Sequence, residues 1–218
     1  MAEHAGMLPA FINDADPKVR ACPKFITQMI HSRHPALAPL HRLMVFAQSI
    51  HVRRMIEGIA LDPKQTFWIM TVNLLADTAT VEWCKVFGSW DEDTHWTRVA
   101  PTEQHEDIRA DLLKILGLSQ GAWEEYRDSI VSYRDQMVAH HDLDATVTNY
   151  PHYDVAIVAA NFMFDRLRNL ADPDSLGGIP TSLDHWSQTV ARNMSAIVRK
   201  AFEASASLGS NVPTRPAD

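Results

Sequence analysis

The chain is poor in several things, and each shortage excludes a class of protein. It has 8 glycines among 218 residues, well under the ~7% of an average chain. So few glycines do not serve the many tight turns of a β-sandwich or barrel. It has two cysteines, Cys22 and Cys84, far apart, with no Cys-x-x-Cys and no Cys/His spacing of a zinc site. A disulfide scaffold is therefore excluded, and a reducing, cytoplasmic setting is expected. Basic charge is also short: 20 Lys and Arg stand against 27 Asp and Glu, for a net charge of −7. That balance excludes a broad basic face that coats nucleic acid, but not one small cationic cleft. No apolar run approaches the ~18 residues that span a bilayer. The longest, Val155 to Phe164, is interrupted by Asn161. Met1 to Ala10 lacks the basic and apolar regions of a signal peptide.

What is present is helical patterning. Apolar residues recur at spacings of three and four, and β-branched alternation is rare. Pro9, Pro17, Pro23 and Pro35 mark residues 1–35 as an arm with one short helix, Lys24 to His31. Residues 36–208 read as one helical domain, and 209–218 as a disordered tail.

Six helices are expected. The first, Pro39 to Ala60, carries two tracks: Leu43, Ala47 and Ile50, and then Val45, Val52, Ile56 and Ile59. The second starts with Asp62 as N-cap and Pro63 at its first position, runs on Trp68, Val72, Leu75, Ala79, Trp83 and Val86, and stops at Gly88. A polar, aromatic loop covers Ser89 to Thr97. The third helix, Glu103 to Leu116, uses Ile108, Leu112 and Ile115 and ends at Gly117. Ser119 opens the fourth, with Trp123, Ile130 and Met137. The fifth, His152 to Ala171, uses Ala156, Ala159, Met163, Leu167 and Leu170. The sixth, from Thr181 or Ser182, uses Leu183, Trp186, Val190, Ile197 and Ala201. Short connections point to an all-α, up-down antiparallel bundle of five to six helices.

The end of the fourth helix stands out. Arg134 lies on the track of Ile130 and Met137, where a guanidinium needs a carboxylate or a bound anion. In a regular helix His141 sits nearly above Arg134 and His140 about 120° away. Unwinding near Ala139 would bring His140 in instead. An arginine for a phosphate's charge and a histidine that titrates near neutrality suit phosphoryl chemistry. The ordinary reading is an Arg–Asp bridge, with the histidines complementing the helix C-terminus. Asp77, on the track Phe67, Met70, Leu74 and Val81 of the second helix, is the natural carboxylate for Arg134.

The order Arg134-Asp135-x-x-x-Ala139-His140-x-Asp142 at the end of an amphipathic helix resembles the HEPN superfamily, whose hallmark is Arg-x4-6-His. Trp83-Cys84-Lys85-Val86-Phe87-Gly88, on the preceding long helix, is similar to a stretch in the abortive-infection branch of that superfamily. The likeness covers about residues 40 to 170. It implies a HEPN-like fold and a metal-independent endoribonuclease of the toxin or antiviral type, acting as a homodimer with or without an antitoxin partner. It implies that Arg134 holds the scissile phosphate and that Asp135 orients it. It implies that His140, with His141 as the alternative, serves the 2′-hydroxyl, leaving a 2′,3′-cyclic phosphate. Lys85 would add positive charge at the cleft. Asp135 departs from the Asn that often follows the Arg. The same fold also serves non-catalytic nucleotide-binding and scaffold modules, which is the alternative.

No cofactor is expected. A metal reading finds only one Glu-x-x-His, Glu92 to His95, where a di-iron bundle needs two. Trp68, Trp83, Trp123 and Trp186 read as core. Trp90 and Trp96 flank the acidic run Asp91-Glu92-Asp93, and are read as loop anchors or a partner surface.

Overall fold

The computed structural model describes residues 35–59, 65–139, 150–206 and 208. Among them the chain is all-helical, with no strand. In chain order the helices are α1 (Leu37–Ile59), α2 (Thr66–Phe87), the short α3 (Trp96–Val99), α4 (His105–Leu116), α5 (Gln120–Tyr133), α6 (Asp154–Leu170) and α7 (Leu183–Ala206). Two 3-10 turns, Thr102–Gln104 and Pro173–Ser175, precede α4 and follow α6. The expected arm with its Lys24 to His31 helix, the Asp62–Pro63 cap and the tail 209–218 lie outside the described residues.

α1 is the hub. Leu40, Leu43, Phe46, Ala47 and Ile50 are buried along it, and it packs on α2, α7 and α6. Each such fully buried apolar side chain is worth ~1.5–3 kcal/mol. Sequential packing is extensive only between α1 and α2. The other main contacts join distant elements: α7 and α6 to α1, and α4 to α6. The helices therefore form a bundle centred on α1, in which not every sequential pair packs closely as the short connections implied. A second apolar patch joins Val52 and Ile56 of α1, Trp68 of α2 and Ala191 of α7. There Trp68 Nε1 donates to Ser205 Oγ at 2.8 Å.

Most of the stripes hold, with exceptions on several elements. Val45, Ile115, Met137, Ile197 and Ala201 are exposed although all were expected on buried tracks. On α7 the buried side follows Leu183, Ser187 and Ala191, continuing to Val198 and Phe202. Ser187 is polar yet buried because its hydroxyl donates to the Leu183 carbonyl at 2.8 Å. A hydroxyl so satisfied fits a close helix contact, and a pattern of apolar letters alone does not see it.

Helix ends obey local chemistry. Ser119 accepts from the Ala122 amide at 3.3 Å and caps α5. Gly117 has φ +64° and ends α4, with the Leu118 amide donating to the Leu113 carbonyl at 3.2 Å. α2 begins with Gln65 at its N-cap position, whose side chain makes no capping hydrogen bond. It ends at Gly88, whose amide donates to the Cys84 carbonyl at 2.8 Å.

Candidate functional site

α5 does not run on as an α-helix through the Arg/His segment. Arg134 to Ala139 is wound as a π-helix, with i→i+5 bonding. This wider winding removes the 100° spacing on which a same-face pairing of Arg134 with His141 depends. His140, His141 and Asp142 lie outside the described residues.

Arg134 is mostly covered, with 20% of its side chain exposed, while its neighbour Asp135 is 51% exposed. Arg134 Nε donates to Asp135 Oδ1 at 2.7 Å, and its Nη2 lies in ion-pair contact with the same oxygen at 2.7 Å. That bond raises the guanidinium pKa further, more than burial lowers it. Glu92 and the Cys84 thiol lie within electrostatic reach of Arg134. The pair is open to solvent on the Asp135 side and is not sealed within the core.

Asp77 is not the partner of Arg134. Its Oδ1 accepts from the Tyr133 hydroxyl at 2.9 Å, so the carboxylate on α2 is engaged one residue earlier on α5 than the sequence track implied. Tyr133 is buried, and burial with the Asp77 contact pushes its phenol far above the usual range. Tyr150 stands beside it, with ring centroids 5.3 Å apart, and Arg53 lies 4.9 Å over the Tyr150 ring. This Asp77–Tyr133–Tyr150–Arg53 cluster was not singled out from the sequence, because nothing in linear spacing links positions so far apart.

Lys85 is also engaged. Its Nζ lies 3.7 Å from Glu82, which also takes Arg42 at 3.1 Å. Its backbone carbonyl accepts from Thr94 Oγ1 at 2.9 Å, tying the loop after α2 to the helix end. It is therefore a paired structural lysine and not an unneutralised cation. Cys84 is fully buried, and burial raises its thiol to about 12, which leaves no nucleophilic thiolate.

The aromatic loop behaves as an anchor. Trp96 is buried in the core cluster, whereas Trp90 is 58% exposed and stacks on His95, 5.6 Å between centroids. His95 is buried and caps α3, its Nδ1 accepting from the Thr97 amide at 3.3 Å. Burial, aided by Arg127, Arg98, Arg109 and His105, lowers its pKa to about 4. His95 is thus neutral at pH 7, a role that the Glu-x-x-His pattern did not indicate. Among the described residues no group of three or more His, Cys, Asp or Glu side chains is placed to hold a metal ion. No described helix is long and apolar enough to cross a membrane.

Comparison with protein-family models, with curated proteins and with solved structures returns no match.

Proposed function

We propose that this protein is a HEPN-type endoribonuclease that needs no metal. The observation that carries the reading is the placement of Arg134 at the first turn of a π-wound segment, mostly covered and held in orientation by the half-exposed Asp135. Such π segments occur frequently at functional sites. In this proposal the Arg134 fork binds the scissile phosphate and offsets the charge that builds on it in the transition state. His140 takes the proton of the ribose 2′-hydroxyl as its oxygen bonds to phosphorus. The bond to the 5′-oxygen breaks, that oxygen takes a proton from solvent, and a 2′,3′-cyclic phosphate remains. The working form is a homodimer that brings two Arg134 segments to one cleft, and an antitoxin protein would hold it in check. The acidic net charge restricts RNA affinity to that cleft.

A second reading rests on the Asp135 bond. A carboxylate already occupying the guanidinium competes with phosphate, which suits a catalytically silent nucleotide-binding or scaffold module of the same fold.

The test is incubation of purified protein with total RNA in chelator, beside Arg134→Ala, His140→Ala and His141→Ala. The nuclease reading expects wild-type cleavage with cyclic-phosphate ends and losses of about 10²–10⁴-fold in the Arg134 and His140 variants. Cleavage that survives His140→Ala but not His141→Ala moves the role to His141. Cleavage unaffected by Arg134→Ala sinks the nuclease site. No wild-type cleavage, with RNA still retained on a filter, selects the silent module.

A further inference from the structure

Between the loop after α2, α4 and the start of α5 lies a cavity of about 480 Å³, inside the size range of small-molecule sites. It is separate from the Arg134 segment, none of whose residues lines it. Its walls are aromatic: Trp90, Trp96 and Trp123, with neutral His95 among them. The acidic run Asp91 to Asp93 does not line it. Arg109 and Arg127 do, and Arg109 sits over both loop indoles, 6.0 Å from Trp90 and 5.5 Å from Trp96.

The walls are held before any ligand arrives. Arg98 Nε donates to the Trp90 carbonyl at 3.1 Å, and Thr94 ties the loop to Lys85. Trp123 packs edge-on against Phe87 at 5.9 Å and stacks on Tyr126 at 6.1 Å. A preformed site does not lose affinity to ordering its own side chains.

The polar groups of the lining include a set of unused donors. His95 Nδ1 lies 3.3 Å from the Thr97 amide and 2.7 Å from the Thr97 hydroxyl, and the tautomer in which it accepts from that amide carries its proton on Nε2. That Nε2 has no partner among the described residues. Arg127 gives Nε and Nη2 to Asp128, at 3.1 and 2.8 Å, and its Nη1 has no partner there. Arg109 gives one amine, Nη1, to Glu106 at 2.8 Å, which leaves its Nη2. Two carboxylates share the lining, each engaged through one oxygen: Glu106 Oε1 by Arg109 at 2.8 Å and Glu124 Oε1 by Gln120 at 2.9 Å. Burial is the first cause of the lowered pKa of His95, and Arg127, Arg98 and Arg109 add to it from nearby.

We propose that this cavity binds a small planar aromatic anion. Its ring lies against the indoles, and its anionic group accepts from Arg127, Arg109 and His95 Nε2. Stacking on indole and charge-assisted bonds to guanidinium supply the two halves of that recognition. The anionic ring can belong to a mononucleotide or to an aromatic carboxylate, and the experiment separates them.

Titrate the full chain by calorimetry with AMP and, separately, with indole-3-acetate, beside their neutral counterparts adenosine and indole. Saturable binding with a Kd of about 1 mM or tighter by either anion is expected. The neutral counterpart should bind about tenfold more weakly, as should Arg127→Gln, for the loss of one charge-assisted bond. Trp90→Ala, at an exposed position that folding tolerates, should weaken both anions. Arg134→Ala should leave both isotherms unchanged, so the outcome is independent of the nuclease reading. Binding by AMP alone assigns a nucleotide, by indole-3-acetate alone an aromatic carboxylate, and by both the shared chemistry. No saturation by either anion, neutral ligands binding as well as anions, or isotherms unmoved by both Arg127→Gln and Trp90→Ala overturns the proposal.

Discussion

The Tyr133 hydroxyl donates to Asp77 Oδ1 at 2.9 Å, joining the last turn of α5 to the middle of α2 just before the chain enters its π-wound segment. This contact, and not an Asp77–Arg134 bridge, ties α5 to α2 at the point where the π-wound segment, itself packed on α2, begins. Tyr133→Phe should cost about 1–2 kcal/mol, since it leaves a carboxylate without its donor. In denaturant unfolding, Asp77→Asn and Tyr133→Phe should couple. Asp77→Asn and Arg134→Lys should add within about 0.5 kcal/mol. Strong coupling in the second pair would contradict the arrangement.

Gly88 stands at the end of α2 where a Cβ would lie 2.5 Å from the Cys84 carbonyl oxygen. That obstacle is backbone within the helix end, and it cannot swing aside as a side chain would. Gly88→Ala should therefore destabilise the fold by about 1–3 kcal/mol, in the range of overpacked sites. Thermal unfolding reads it, and an unchanged Tm would show that the turn relaxes freely.

Cys84 is buried with its thiol raised to about 12. In a Cys22→Ser protein, a disulfide reagent at pH 8 should find no reactive thiol until guanidinium is added. A group whose folded value lies above its unfolded one contributes fully below the unfolded value and loses that contribution as pH rises through the folded one. Burial of this thiol therefore favours the fold below pH 9 and works against it between about 9 and 12. Rapid labelling of the native protein would be inconsistent with the packing.

His95 gives the opposite sign. Its folded value, about 4, lies below the ordinary 6.5, so the unfolded chain takes up a proton first as pH falls. Stability is fully present above about pH 6.5 and declines toward pH 4, by on the order of 2–3 kcal/mol for this group. His41 and His51 are shifted down by burial as well and add to the same trend. His95→Gln should narrow the difference in Tm between pH 7 and pH 4.5. A gap as wide as in wild type would assign the acid sensitivity elsewhere.

Phe67, Met70 and Leu74 form an exposed apolar stripe on α2 that runs toward Asp77, and Met137 is exposed on the π-wound segment. The proposed homodimer would cover this face beside the Arg134 segments. Light scattering should then report a dimer for wild type and a monomer for Phe67→Glu with Leu74→Glu, whose exposed positions tolerate the charge. A wild-type monomer at about 100 μM, weaker than roughly −5.5 kcal/mol of association, would remove the shared cleft.

The candidate site was legible in part. Arg134 was visible because a guanidinium on an apolar track demands a partner; the track argument named Asp77, whereas the partner is Asp135, which entered only through the family resemblance. His140 was preferred over His141 only through the family pattern, since regular α winding would have put His141 above Arg134, and the π segment removes that regular winding. Lys85 read as a source of charge until Glu82, one turn back on the same helix, was seen to engage it. The aromatic cavity was half visible, through Trp90 and Trp96. Nothing in the sequence pointed to Arg109 and Arg127, since no spacing relates them to that loop.

The sequence by itself determined the helical class, most of the helix limits and the caps at Gly117 and Ser119. Those depend on neighbours within a turn, through backbone donors and acceptors that local side chains satisfy. It also determined that charge is sparse and acidic, which confines any anion recognition to small enclosed places. Tertiary structure alone decided that α1 is the hub, which side of α7 is buried, and that Asp77 meets Tyr133. It alone set two arginines around the indoles of one cavity. Those outcomes depend on which helix faces which, and that is settled by the packing of whole surfaces against one another.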